Sequence, residues 1–168
     1  MKPEISVQPA QPGTGGQRSR ITELDALFAR LHHNSREIVS TVSPAAFERR
    51  SQPAQPLDSV RENVLRSAAV IERTFGGITA NLWDDPFEWT LPETLTTRQR
   101  IIEYLEEVEA TRRRAFASMA NDHDLARDIV LPSGETHSLK DVLRETIGRA
   151  AGYQDRALAM CELPVARD

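Results

Sequence analysis

Apolar residues recur along this chain in alternating steps of three and four, the period of a helix that buries one face. In the first long segment they fall at Ile21, Leu24, Phe28, Leu31, Ile38 and Val42, with Ser35 inside the same stripe. A second stripe runs through Val60, Val64, Ala68, Ile71, Phe75, Ile78 and Leu82. A third holds Ile101, Leu105, Val108, Ala115 and Met119, with Arg112 on the same line, and a fourth holds Leu139, Leu143, Ile147, Ala150, Leu158 and Cys161. Prolines stand between these segments and leave four proline-free stretches, at roughly 20–42, 58–83, 97–120 and 138–162. Proline removes a helical donor and clashes with the preceding turn, so its placement predicts four long helices.

The punctuation agrees. Ser43-Pro44 predicts an N-cap and first position of a short helix. Thr96-Thr97-Arg98-Gln99 reads as a capping box, and Ser138 followed by Asp141 reads as a second helix start. Gly76-Gly77 interrupt the second stripe, at a cost of ~1 kcal/mol each relative to alanine, and a kink is expected there. The connection from Asn121 to His137 contains Ile129-Val130-Leu131 and a Pro132-Ser133-Gly134 turn, so a short extended excursion is expected. Residues 1–18 read as a disordered tail, rich in Pro, Gln and Gly, ahead of a domain over 19–168. Four amphipathic helices without strand alternation predict an all-α fold, a four-helix bundle with a long connection between helices three and four. The pattern leaves handedness and connection order open.

Composition removes several function classes. Aromatics make up 5% of the 168 residues, so aliphatic side chains carry most of the burial. The net charge of −4, with neither half markedly basic, argues against nucleic acid as a partner. No apolar run approaches the ~18–20 residues of a membrane helix, so no membrane span is expected. Met1 to Gly16 lacks the apolar core of a secretory signal. The single cysteine, Cys161, rules out an intrachain disulfide and suits a reducing cytosol, so a cytoplasmic location is expected.

Two stretches carry a family resemblance. Ser59-Val60-Arg61-Glu62-Asn63-Val64-Leu65-Arg66-Ser67-Ala68-Ala69 resembles the second helix of the DinB-like (DinB/YfiT) superfamily. Leu131-Pro132-Ser133-Gly134-Glu135-Thr136-His137-Ser138-Leu139-Lys140-Asp141-Val142-Leu143-Arg144 resembles the turn and helix start before that family's last helix. The order of elements agrees over roughly residues 20–162. The resemblance implies a four-helix bundle, commonly dimeric, that in many members holds a divalent metal through three histidines. One of those lies on helix two and two lie four apart on helix four. Some members are thiol-dependent transferases or isomerases.

The ligand positions depart from that pattern. The helix-two histidine falls on Arg66, or on Ser67 if the register shifts by one, and the helix-four pair falls on Arg149 and Tyr153. Arginine has no lone pair to give a metal, and tyrosine is a poor ligand unless deprotonated. No metal and no cofactor are therefore expected at this site. Arg66, Arg149 and Tyr153, with Ser67 and Arg112, become candidates for a ligand cleft where guanidinium groups replace a cation. Arginine's forked donors suit a small anionic ligand such as a carboxylate or phosphate. The plainer reading is a salt-bridged arginine set, with Glu62, Glu72 and Glu145 within one or two turns.

Other candidates read more plainly. His32 and His33 are adjacent on one helix and point about 100° apart, so they do not chelate one ion. A metal site from Asp122, His123, Asp124 and His137 is conceivable, but polar loop residues are the simpler reading. Trp83, Phe87 and Trp89 flank Asp84, Asp85 and Glu88, either as an aromatic and acidic mouth or as a cap on the core. Cys161 reads as a small buried hydrophobe. No Gly-rich phosphate loop, nucleophile elbow, Cys-x-x-Cys pair or His-Glu-x-x-His motif is present.

The expected function is a DinB-like binding bundle for a small molecule or anion, probed at the former metal cleft. The alternatives are a divergent metal- or thiol-dependent transferase and a non-catalytic interaction module. A homodimer is expected from the resemblance and from Gly148, Gly152, Asp155 and Ala159, which share the outer side of the fourth helix.

Overall fold

The computed structural model describes residues 17–48, 59–84 and 94–162. Among these residues the chain is all-α apart from one small hairpin. Helix α1 (Ser19–Thr41) leads into the short α2 (Pro44–Phe47), followed by α3 (Val60–Ala80) and α4 (Arg98–Ser118). A 3-10 turn (Asp122–Ala126) and an antiparallel hairpin of β1 (Asp128–Val130) and β2 (Thr136–Ser138) precede α5 (Leu139–Glu162). The four long helices match the four stripes.

Their directions follow from the contacts. Asp25 and Val39 of α1 meet Arg112 and Arg98 of α4, so α1 and α4 are antiparallel. Glu72 and Phe75 of α3 meet Tyr104 and Phe116 of α4, so α3 and α4 are parallel. Asn63 and Thr74 of α3 meet Met160 and Thr146 of α5, so that pair is antiparallel. The bundle therefore runs up, down, down, up, an order that the sequence pattern left open. The α3–α5 pair is the most extensive in the structure.

Core and caps mostly follow the stripes. Phe28, Phe75 and Phe116 meet with ring centroids 5.1–5.8 Å apart and fill one half of the core. Ser43 accepts from the Ala46 amide, and Ser59 and Glu62 form a reciprocal capping box. The start of α4 lies one residue later than expected: Thr97 is the cap and accepts from the Arg100 amide, while Gln99 turns to Glu103. On α5 the buried face is rotated from the expected stripe. Leu158 is 44% exposed, and Val142, Thr146, Gln154, Ala157 and Met160 are buried beside Leu139, Leu143 and Ala150. Two polar residues in that face made it hard to place from hydropathy.

Helix α3 runs unbroken through Gly76-Gly77. It stops at Asn81, which takes the left-handed conformation (φ 56°) that asparagine tolerates better than most residues. The Asn81 amide donates to Gly77 O and the Leu82 amide to Gly76 O, and the chain folds back over the helix. Leu82 lies past this stop and is exposed. In the hairpin, Gly134 (φ 86°) supplies the turn and its amide donates to Leu131 O. Ahead of α1, Gln17 O accepts from the Asp122 amide and Arg18 donates to Phe116 O, so these two residues of the expected tail segment are tied to the bundle.

Candidate functional site

The candidate residues fall into three places. Ser67 is fully buried on α3, and its hydroxyl donates to Ala150 O at 3.0 Å, closing the α3–α5 seam at that level. Arg66 is half-buried on the same helix. Tyr153 is half-buried on α5, and the Arg156 guanidinium covers its ring at 4.5 Å from the centroid.

Arg112 lies elsewhere, on α4 against α1, and is 3% exposed. Glu109 grips it bidentately, at 2.8 Å to Nε and 2.7 Å to Nη2, and Asp25 receives its Nη1. Arg113 adds a third bond to Glu109 at 2.8 Å. Burial alone would push the Glu109 carboxyl up, but the hydrogen bonds and charge of Arg112, with Arg113, hold it below the usual carboxylate range. Burial likewise works against the Arg112 charge, and Glu109 and Asp25 more than offset it. His32 faces this network, and burial lowers its pKa against the opposing pull of Glu109 and Glu106. The void beside these groups measures about 10 Å³, room for at most one water. This is a self-satisfied ion cluster.

An open groove lies further along α3 and α5. Val70, Arg73 and Thr74 of α3 face Val142, Glu145, Thr146 and Arg149 of α5, each set spaced at three and four along one helix face. Trp83 and the hairpin turn at Leu131, Pro132 and Ser133 close its sides, leaving a volume of about 180 Å³. Of the five residues of the expected arginine cleft, Arg149 lines this groove, together with Trp83 and Glu145, which the sequence also singled out. The floor holds two buried hydroxyls, Thr74 and Thr146, 2.7 Å apart. Arg73 Nε donates to Trp83 O at 2.8 Å, which fixes the backbone of the wall.

Trp83 reaches the groove because Gly77 leaves space for it. A Cβ at Gly77 would stand 2.3 Å from the indole ring. Asn81 Oδ1 accepts from the indole Nε1 at 3.1 Å. Of the acids near the arginines, Glu62 is spent in the α3 capping box and Glu72 accepts from the Tyr104 hydroxyl at 2.5 Å. Glu145 lines the groove with Arg149. Phe87 and Trp89 lie outside the described residues.

The loop candidates for a metal have other partners. Asp122 accepts from the Ile21 and Arg20 amides and the Ser19 hydroxyl. Asp124 accepts from the Ala120 and Asn121 amides. Among the described residues no group of three or more His, Cys, Asp and Glu side chains is placed to hold a metal ion. No helix among them is long and apolar enough to cross a membrane.

Arg73, Thr74 and Thr146 were missed because the two threonines lie beside the apolar stripes, next to Phe75 and Ile147, and nothing in the sequence pairs α3 with α5. Arg73, three residues from Val70 and next to Thr74, was the available signal. Comparison with family models, curated proteins and solved structures finds no match.

Proposed function

We propose that this chain is a DinB-like bundle without the three-histidine metal set, and that it binds a small anionic molecule in the α3–α5 groove. The observation that carries this reading is one groove, about 180 Å³ in volume, lined by Arg73 and Arg149 above a hydroxyl floor and beside Trp83. Arginine at the rim supplies forked donors for a carboxylate. Val70, Val142 and the indole supply an apolar wall for the rest of the molecule. The groove's volume of about 180 Å³ suits a small molecule. The family part of the reading rests on the motif likeness and the order of helices, with Arg66 or Ser67, Arg149 and Tyr153 at the histidine positions.

The test is a titration of Trp83 emission with 3-methylbutanoate, a small branched carboxylate, in a Trp89→Phe background that leaves one tryptophan. Saturable change is expected. A linear, non-saturating response up to tens of millimolar contradicts the reading.

A second reading concerns association. Gly148 and Gly152 on α5 have nothing within 4 Å of where a side chain would begin. We propose that this face pairs with a second copy of the chain, where glycine permits close backbone approach. Light scattering on wild type and Gly152→Leu tests it. A monomer at micromolar concentration, or a dimer unchanged by the substitution, contradicts it.

A further inference from the structure

We infer that the ligand of the α3–α5 groove is a zwitterion, a small molecule with a protonated amine beside its carboxylate, and that Thr74 Oγ1 receives the amine. This rests on the anionic reading of the groove and sharpens it to a substrate class.

The argument comes from counting hydroxyl protons. Thr146 Oγ1 lies 2.9 Å from Val142 O, and a carbonyl only accepts, so the Thr146 proton goes there. Thr146 Oγ1 also lies 2.7 Å from Thr74 Oγ1. A hydroxyl has one proton, so both bonds form together only if Thr74 donates to Thr146. The chain Thr74 to Thr146 to Val142 O then has a fixed direction. It leaves Thr74 Oγ1, in a residue 6% exposed, with lone pairs alone on the groove floor.

With its own proton committed to Thr146, the Thr74 oxygen offers acceptor capacity only, so the floor is matched by an N–H or O–H on whatever enters. Glu145, on the same groove, adds a second acceptor with negative charge. Arg73 and Arg149 make the opposite demand, for an anion. A simple carboxylate answers the arginines and leaves the floor unmet. A simple amine answers Thr74 and Glu145 and meets two guanidinium groups. A molecule with both groups answers all four. A hydroxy acid satisfies Thr74 but not the charge of Glu145, which favours the amine.

Calorimetry with three matched probes at neutral pH separates the possibilities: valine, 3-methylbutanoate (valine without its amine) and valinamide (valine without its carboxylate). Valine is expected to bind about tenfold more tightly than 3-methylbutanoate, the size of a hydrogen bond to a charged group. Thr74→Val should remove that ratio by weakening valine alone, and Thr74→Ser, which keeps the acceptor, should retain it. Equal affinity for valine and 3-methylbutanoate overturns the zwitterion inference and leaves the anionic reading standing. Valinamide binding as tightly as valine, or no binding of any probe, overturns the anionic reading and this inference with it. A ratio unchanged in Thr74→Val overturns the role of Thr74.

Discussion

The Trp83 indole rests on Gly77 so closely that a methyl group there would overlap the ring at 2.3 Å. A glycine inside a helix normally costs ~1 kcal/mol against alanine, and here it makes room for the wall of the groove.

Gly77→Ala therefore sets two effects against each other. The helix gains ~1 kcal/mol in propensity, while overpacking costs roughly 1–3 kcal/mol. The indole is half-buried and able to shift, so net destabilisation is expected to stay near 1 kcal/mol. The clearer change is in Trp83, whose emission should move to the red as the ring leaves its seat. Thermal denaturation and emission spectra in a Trp89→Phe background check this. An unmoved spectrum contradicts the packing described.

The Arg112 cluster should behave as a structural unit. Arg112→Ala leaves Glu109, 4% exposed, without its bidentate partner. Breaking a buried pair in this way costs about 3–5 kcal/mol. Replacing both residues with methionine should recover most of that loss, because no charge is then stranded. Urea denaturation of the single and double variants measures it, and a single variant within 1 kcal/mol of wild type rules out the cluster as an anchor.

Acid should unfold the protein in two stages. The lowered pKa of His32 means the folded state favours its neutral form, so unfolded chains bind the proton first. Stability should fall as pH drops below the ordinary histidine value of 6.5. Glu109, also lowered, contributes stability that is present above its ordinary value of 4.5 and is lost as pH falls through the folded value. His32→Gln should flatten the first window and Glu109→Gln the second. Denaturation midpoints between pH 3 and pH 7 test both, and identical profiles for wild type and His32→Gln would refute the first.

Much of the fold was legible because burial in a bundle repeats every three to four residues. Phe28 and Phe75 each sit where their stripe put them, while Phe116, buried next to Ala115, lay outside the expected third stripe. What the pattern missed comes from partners distant in sequence. Helix α1 has no capping side chain of its own at Arg18; Asp122, just past the end of α4, caps it, and Arg98 covers the carbonyls of Val39 and Val42 at its other end. Gln154 looked like a break in the α5 stripe, yet it is buried and donates to Leu31 O and Ser35 Oγ. Arg112 lay on the right line for the core, but only the structure supplies Asp25 and Glu109 as its partners. The groove needed the α3–α5 pairing, which no local signal specifies.

The central claim is that Arg149 helps the α3–α5 groove hold an anion. The most direct measurement is the calorimetric affinity of wild type and Arg149→Met for 3-methylbutanoate at low salt. Arg149 is exposed, so the variant should fold with unchanged stability. Binding should weaken about tenfold in Arg149→Met, the loss of one charge-assisted hydrogen-bonded contact. Equal affinity in the two proteins, or no saturable binding to wild type, would contradict the claim.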